Sequence, residues 1–392
     1  MEFLLESFAK ELGDGEIIRI GSGEFIFKFS SFKENPIVKP QDIELTWYED
    51  NILKLGAVFN GGAELFEDNV VLLPRCHHHY KKGTFYDERL GIERTCLENY
   101  ISEVNCLKSA DGIHFEKFNN VKIKGDGTDH KDFIYGIEDI RIIKQDQRYI
   151  LIGCGKVEPA FKGKNADRIA VYSTRDFRNI NYNGIIKSFD SRNAVLFSEP
   201  VDGNYYILLR FNPNIHIDIL EAGIEQILNP SKYEHNWQKI YNRKNSNLLL
   251  KAGDYPHEKE KIGPGTQIIN TEKGWLLIYH AVGEIGNDIC KSYGLSKKIN
   301  RGYSVCIALL DKDNPKKILC RTKNPVYIPS APYELYGNDK FPVDVPAVVF
   351  PVGAFVLKDK LVIYAGAGDK YVILLSCNIK MLIEYLFNYC IC

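Results

Sequence analysis

Five times along this chain an apolar strand runs into a short polar turn and out along a second apolar strand that ends in a polar residue. The paired segments are Ala57–Leu65 with Val70–Arg75, Arg141–Lys144 with Tyr149–Gly153, Ala194–Ser198 with Tyr205–Arg210, Thr266–Asn270 with Trp275–His280, and Ala354–Leu357 with Leu361–Ala365. The turns between them are built from Asp, Asn, Gly, Lys and Glu, the residues of β-hairpins. They recur at intervals of roughly 55 to 85 residues, longer than the about 40–50 of common propeller repeats. Each interval leaves room for two more strands, such as Arg168–Ser173 and Tyr303–Leu310. Four strands in each of five units predict an all-β chain folded as a five-bladed β-propeller. Helical spacing of apolar residues occurs at the two ends, over Glu2–Leu12 and Asn378–Tyr389. The expected organisation is one domain over 1–392, with an N-terminal helix and strand extension at 1–34, an insertion at 215–260 and a closing helix in 378–392. The insertion interrupts the strand pattern with helical character around Glu221–Leu228, and it is expected to lie over one face, where lids are found.

Composition narrows the function. Tyr 23 and Phe 21 against Met 2 favour strands and sugar-stacking surfaces over helix bundles. With a net charge of −1 and no basic stripe, neither nucleic acid nor an anionic membrane is an expected partner. Affinity for an anion must come from a local cluster. The start, Met1-Glu2-Phe3-Leu4-Leu5, lacks the basic region of a signal peptide, and no apolar run is long enough to span a membrane, so a cytoplasmic location is expected. The ten cysteines form no CxxC pair and are read as reduced thiols. Assembly into a homo-oligomer is left open.

In a propeller the inner hairpins line the axis, so residues at equivalent hairpin ends converge. That would gather Asn60, Arg75, Asp139, Arg192, Arg210, His280 and Asp369 at one pocket. The stretch Gly136-Ile137-Glu138-Asp139-Ile140-Arg141 puts two carboxylates and an arginine at the start of an apolar strand. Strand alternation predicts that Glu138 and Asp139 point to opposite sides, one into a cavity and the other to a partner such as Arg141. Asp139 is read as a single catalytic acid, held protonated by burial and by Glu138. The plainer reading is an ion pair at a strand start. Around it, Arg192-Asn193, Arg210, Lys261 and Tyr279-His280 form a cationic set, with His280 able to carry charge. Arginine forks suit phosphate oxygens. Ordinary glycosidases need two carboxylates. One acid among many cations suits phosphorolysis instead, because phosphate is itself the nucleophile. No metal and no cofactor is expected, and inorganic phosphate is a co-substrate. Adjacent side chains of Cys76-His77-His78-His79 diverge on an extended segment, so this run is expected to be a solvated or substrate-facing loop rather than a metal site.

Read as a set and in order, these motifs resemble glycoside hydrolase family 130, the inverting β-mannoside phosphorylases and mannosidases. The runs that carry the resemblance are Asn35-Pro36-Ile37, Val58-Phe59-Asn60-Gly61-Gly62-Ala63, Leu72-Leu73-Pro74-Arg75, Ser109-Ala110-Asp111-Gly112, Gly136–Ile142, Arg192–Phe197, Leu209-Arg210, Lys261-Ile262-Gly263, Gly274–His280 and Tyr364–Asp369. The resemblance covers Asn35 to the C-terminus. It implies a five-bladed propeller in which Asp139 is the proton donor, its proton passing through a hydroxyl of the bound mannose. It implies phosphate at Arg192, Asn193, Arg210, Lys261 and His280. It implies substrate contacts at Asn60, Arg75 and Asp369, and at Glu138, Arg141 and Tyr279 beside them. The family's hydrolytic members tend to lack the equivalents of Arg192 and His280, so their presence favours phosphorolysis. Two positions depart from the usual pattern, with Ile140 where proline is usual and Ala281 where glycine is usual. The implied reaction converts a β-mannoside and phosphate to α-mannose 1-phosphate and a shortened sugar, with β-1,2 linkages favoured over β-1,4. A β-mannoside hydrolase on the same fold, or a non-catalytic sugar-binding propeller, are the alternatives.

Overall fold

The computed structural model describes residues 2–87, 92–125, 132–158 and 167–390. Among the described residues, five sheets of four or five strands follow one another, each an antiparallel run from an inner to an outer strand, beside three two-stranded hairpins. The first blade is Ala57–Phe66, Asn69–His77, Glu103–Ser109 and Glu116–Lys124. The second is Ile137–Gln145, Arg148–Lys156, Asp167–Thr174 and Asn181–Ile186. The third is Arg192–Leu196, Tyr206–Phe211, Asn214–Ile219 and Leu248–Leu250. In the fourth, the inner position is shared by Lys261–Pro264 and Ile269–Thr271, both paired to Gly274–Ile285, and Ile299–Leu310 and Ile318–Arg321 follow. The fifth is Val349–Leu357, Lys360–Ala367 and Tyr371–Asn378. The all-β, five-bladed propeller expected from the hairpin repeat is the fold observed.

The ring is closed by the start of the chain. Ser30–Ser31 pairs with Leu375 and Ser376 as the outer strand of the fifth blade. Phe27 and Phe29, just before it, are buried between the fourth and fifth blades with Ile278, Ile307, Ile363 and Ile373. The C-terminal helix Ile379–Tyr389 seals the same junction with Leu382, Tyr385 and Leu386, and Asn378 caps it by accepting from the Lys380 and Met381 amides. Comparable apolar clusters fill the other blade junctions. Val58 and Leu72 meet Tyr364 and Leu374 across one, and Leu208 and Ile217 meet Leu277 and Ala308 across another.

At the hub, backbone meets backbone. A Cβ on Gly62 would lie 2.3 Å from the Ile140 carbonyl oxygen, and one on Gly353 would lie 2.3 Å from the Ala63 nitrogen. Buried Gln267 stitches three blades, donating to the Ala63 carbonyl at 3.0 Å and accepting from the Ala354 amide at 3.2 Å. Inner strands packed this closely bring their first residues into one small volume, and that places the site.

Two expectations need correction. The segment 215–260 is not a lid: it supplies the third and fourth strands of its own blade. Between those strands, helices Ile224–Leu228 and Glu234–Asn242 bury Ile227, Trp237 and Ile240 among residues of the second and third blades. The amide of Asn183, on the second blade's outer strand, donates to the Leu228 carbonyl at 3.0 Å. Its polar face suggested a lid because only three or four side chains need to be apolar to dock a short helix on an edge. The thiol reading also fails at Cys320, which is disulfide-bonded, whereas Cys76, Cys96, Cys106, Cys154, Cys290, Cys306 and Cys377 are free. Among the described residues no helix is long and apolar enough to cross a membrane.

Closure by the N-terminal segment makes a measurable demand. Phe29→Ala leaves a cavity in the junction beneath the closing strand and is expected to cost about 3–5 kcal/mol in chemical denaturation. A loss under about 1 kcal/mol would show that the ring does not depend on this segment.

Candidate active site

The first turn of three inner strands carries the same local irregularity. Pairing slips between Phe59 and Gly62, between Glu138 and Arg141, and between Arg192 and Val195. Within each slip one residue is left-handed: Asn60 at φ 51°, Asp139 at φ 52° and Asn193 at φ 60°. Asn and Asp tolerate this conformation where larger residues do not. A bulge of this kind re-aims side chains. It explains why the expected alternation fails: Glu138 and Asp139 do not point to opposite sides but share the same two arginines.

The cluster is dense. Arg75 Nη2 pairs with Glu138 Oε1 at 2.8 Å, and its Nη1 lies 3.6 Å from Asp139 Oδ1. Arg192 Nη2 donates to Glu138 Oε2 at 2.8 Å and to Asp139 Oδ2 at 3.1 Å. Asn60 Nδ2 donates to Asp139 Oδ1 at 2.9 Å, and Ser102 Oγ to Glu138 Oε1 at 3.0 Å. Burial pushes the Asp139 carboxyl up, but Arg75, Arg192 and Arg141, with the Asn60 hydrogen bond, outweigh it and hold the group down at about 2. Asp139 is therefore ionised in this state, and the expectation that Glu138 and burial keep it protonated is overturned. The bulge is the reason, because it gives both carboxylates a cationic partner.

Arg141 lies beneath this layer, fully buried. Its Nη1 donates to the Asp139 carbonyl at 2.6 Å and its Nε to the Gly265 carbonyl at 2.8 Å. It pins the bulge and is not open to a substrate, which corrects its placement among substrate contacts. Tyr279 is corrected for the same reason. Side chains alternate along Gly274–Ile285, so His280 faces the hub while Tyr279 faces the neighbouring blade. There the Tyr279 hydroxyl donates to Glu258 at 2.7 Å and accepts from Arg321 Nε at 3.1 Å. Arg321 also pairs directly with Glu258. The nearby trio His257, Glu258 and Cys306 is therefore a poor cation site, since a guanidinium already neutralises its carboxylate.

Beside the carboxylates lies a half of the site with unused polar groups. Arg210 stands opposite Arg192 in the strand register. His280 stands opposite Gly263. A Cβ on Gly263 would come within 2.5 Å of the His280 ring and 2.8 Å of the Arg210 Cδ, so only glycine lets these two meet. Both amide atoms of Asn193, both ring nitrogens of His280 and Nε of Arg210 are buried without a hydrogen-bond partner. Such groups are costly to leave unpaired, and together they describe a place for an acceptor-rich ligand. Burial, then Arg210, Lys261 and other cations, drive the His280 pKa well below its usual value, so it is neutral rather than a fourth cation. Lys261 Nζ sits 5.2 Å from the Tyr303 ring, and Tyr303 lies 6.2 Å from His280. Sequence reasoning passed over Tyr303 because it lies mid-strand in an outer position; its proximity follows from the long Gly274–Ile285 and Ile299–Leu310 pair. Asp167 was also missed: it lies 3.6 Å from Arg192 Nη1 and pairs with Lys156.

Asp369 follows the fifth blade's second strand with φ 50°. Burial pushes its carboxyl up to about 7, with Arg75 opposing and the charges of Asp139, Asp344 and Glu138 adding to the rise. His77, expected on a solvated or substrate-facing loop, is fully buried behind Arg75.

A five-bladed propeller whose hub sets an arginine-bridged carboxylate pair beside unpartnered cationic and amide groups is the architecture of a sugar-processing phosphorylase class. The chain belongs to glycoside hydrolase family 130: the family model, described as beta-1,4-mannooligosaccharide phosphorylase, matches residues 31–387. It is 27% identical over 353 residues to a beta-1,2-mannobiose phosphorylase of Thermoanaerobacter sp., covering 88% of this chain and 96% of that protein. It is 28% identical over 319 residues to a 1,2-beta-oligomannan phosphorylase of the same organism, covering 77% of this chain and 92% of that one. The fold matches the Listeria innocua beta-1,2-mannobiose phosphorylase, solved with beta-1,2-mannobiose, at a TM-score of 0.64 and 21% identity, over 92% of this chain and 99% of that one.

The raised Asp369 carboxyl predicts a pH dependence of stability. Its folded pKa of about 7 lies above the unfolded value of about 3.9, so its contribution is complete below about pH 4 and is lost as pH rises through 7. Asp369→Asn mimics the neutral form. Denaturation at pH 5 and pH 8 is expected to show a smaller difference in the variant than in the native chain, by on the order of 2 kcal/mol. Equal slopes in both would mean that Asp369 titrates normally.

Proposed function

We propose that this chain is an inverting β-mannoside phosphorylase, a glycosyltransferase-type enzyme, acting on β-1,2-linked mannobiose or oligomannan in preference to β-1,4 linkages. The observation that carries the reading is the juxtaposition of two unlike halves: carboxylates saturated by Arg75 and Arg192, and unpartnered groups on Asn193, Arg210 and His280. The linkage preference rests on relatives named for β-1,2 substrates. The β-1,4 description attaches to the family as a whole.

In this reading phosphate sits against Arg192, Asn193, Arg210, Lys261 and His280, with the Tyr303 hydroxyl at the rim. One of its oxygens attacks the anomeric carbon from the α face as the β-glycosidic C–O bond breaks. The leaving oxygen gains a proton by way of Asp139. Protons balance, because the one that hydrogen phosphate loses on becoming the ester equals the one that the departing sugar gains. Asp139 therefore needs to carry a proton only transiently. Seating a dianion against Arg192 diverts that guanidinium's charge and raises the Asp139 pKa from its low resting value. In this reading Asn60, Arg75 and Asp369 hold the mannose being transferred, with a protonated Asp369 able to donate to a hydroxyl. Water is a poor competitor, since Glu138 is fully engaged by Arg75, Arg192 and Ser102 and cannot act as a general base.

A panel of mannobioses of different linkage, incubated with and without phosphate, tests the proposal. β-1,2-Mannobiose is expected to yield mannose 1-phosphate only when phosphate is present. Free mannose in its absence would identify a hydrolase, and no turnover of any linkage would leave a sugar-binding propeller. Asp139→Asn is expected to lower kcat by about 10²–10⁴-fold. Gly263→Ala, which forces Arg210 and His280 apart, is expected to raise the KM for phosphate about ten-fold or more. An unchanged phosphate KM would remove those two residues from the anion site.

A further inference from the structure

Against the Nε edge of Arg75 lies a histidine that the reaction as described does not use. His77 is fully buried. Its ring stacks on Tyr100 at 3.6 Å with the planes 7° apart, and Phe59 lies 5.8 Å away on a plane tilted 23°. Arg75 Nε donates to His77 Nε2 at 2.7 Å. An arginine N–H is always a donor, so Nε2 must be the unprotonated nitrogen and the ring must be neutral, with its hydrogen on Nδ1. Ser102 Oγ lies 3.4 Å from the same Nε2 and gives its better hydrogen bond, at 3.0 Å, to Glu138. Arg75, His77, Ser102 and Glu138 thus form a closed ring of contacts beside Asp139.

The geometry decides what the histidine does. A guanidinium offers donors along three edges, and its orientation is fixed only when they are matched. Glu138 and Asp139 take the two terminal nitrogens of Arg75, at 2.8 Å and 3.6 Å. With nothing on Nε, the plane could roll about its stem and leave one carboxylate for the other. We infer that His77 is a positioning residue: by accepting the Nε hydrogen it fixes the roll of Arg75 so that one guanidinium bridges Glu138 and Asp139. A protonated or absent imidazole would free Arg75 and disturb the acid without touching phosphate, whose proposed ligands lie on the third and fourth blades.

The test has two arms, and the kinetic one rests on the proposed phosphorolysis. His77→Phe keeps a stacked ring and removes the acceptor, whereas His77→Gln restores an acceptor near Nε2. We expect His77→Phe to lower kcat by about ten- to hundred-fold, the loss for an orphaned hydrogen bond to a charged group, with the phosphate KM within about two-fold of native. His77→Gln should recover most of the lost kcat. Native kcat in His77→Phe, or equal losses in both variants, would reduce His77 to packing. The second arm needs no turnover. In ¹⁵N-labelled protein with nine histidines, the signal absent from His77→Gln should be that of a neutral ring with unprotonated Nε2 and protonated Nδ1. A protonated Nε2 overturns the inference even if the enzyme is a phosphorylase. The expected tautomer sustains the Arg75 contact even if the enzyme proves to catalyse something else or His77→Phe does not fold.

Discussion

Two carboxylates can share a buried hub only because each of two arginines reaches both of them. Removing charge from water costs several kcal/mol per ion, and a lone buried Asp would neutralise itself by taking up a proton. Here Arg75 and Arg192 bridge Glu138 and Asp139 from different blades and hold the Asp139 carboxyl below its ordinary value. That bridging needs both side chains on one side of a strand, which regular pleating forbids. The left-handed bulge at Asp139 permits it, and Arg141 holds the bulge from below through the Asp139 carbonyl. The strand irregularity, the identity of Asp139 and the charge state of the site are thus one constraint seen at three levels.

The same device recurs at Asn60 and Asn193, and with different consequences. At Asn60 it brings an amide to Asp139. At Asn193 it leaves an amide with no partner at all. One half of the hub is electrostatically closed and the other is open, and the boundary between them runs through Arg192, which contacts both carboxylates yet keeps 20% of its side chain exposed. An anion that engages Arg192 weakens the hold on Asp139. In the proposed reaction, nucleophile binding and activation of the proton path would be coupled through this one side chain, without a conformational change being required.

The hairpin repeat was enough to read the blade count, because strand alternation and turn residues are local properties. The convergence of Arg192, Arg210 and His280 with Asp139 followed from the propeller, since equivalent hairpin ends must meet at the axis. What escaped the sequence depended on departures from regularity. The αL bulge reversed the expected split of Glu138 and Asp139, and with it the expected protonation of the acid. His280 looked cationic until its neighbours proved to be cations. Tyr279 looked like a site residue by adjacency to His280, although alternation sends it to Glu258. The 215–260 segment looked like a lid because short docking helices expose most of their surface.

The central proposal is that Asn193, Arg210 and His280 seat inorganic phosphate beside Asp139. Calorimetric titration of phosphate into the sugar-free protein tests it most directly. The account predicts saturable binding that is lost in Arg210→Ala and retained in Asp139→Asn. No saturable binding to the native chain, or binding that survives Arg210→Ala unchanged, would contradict it.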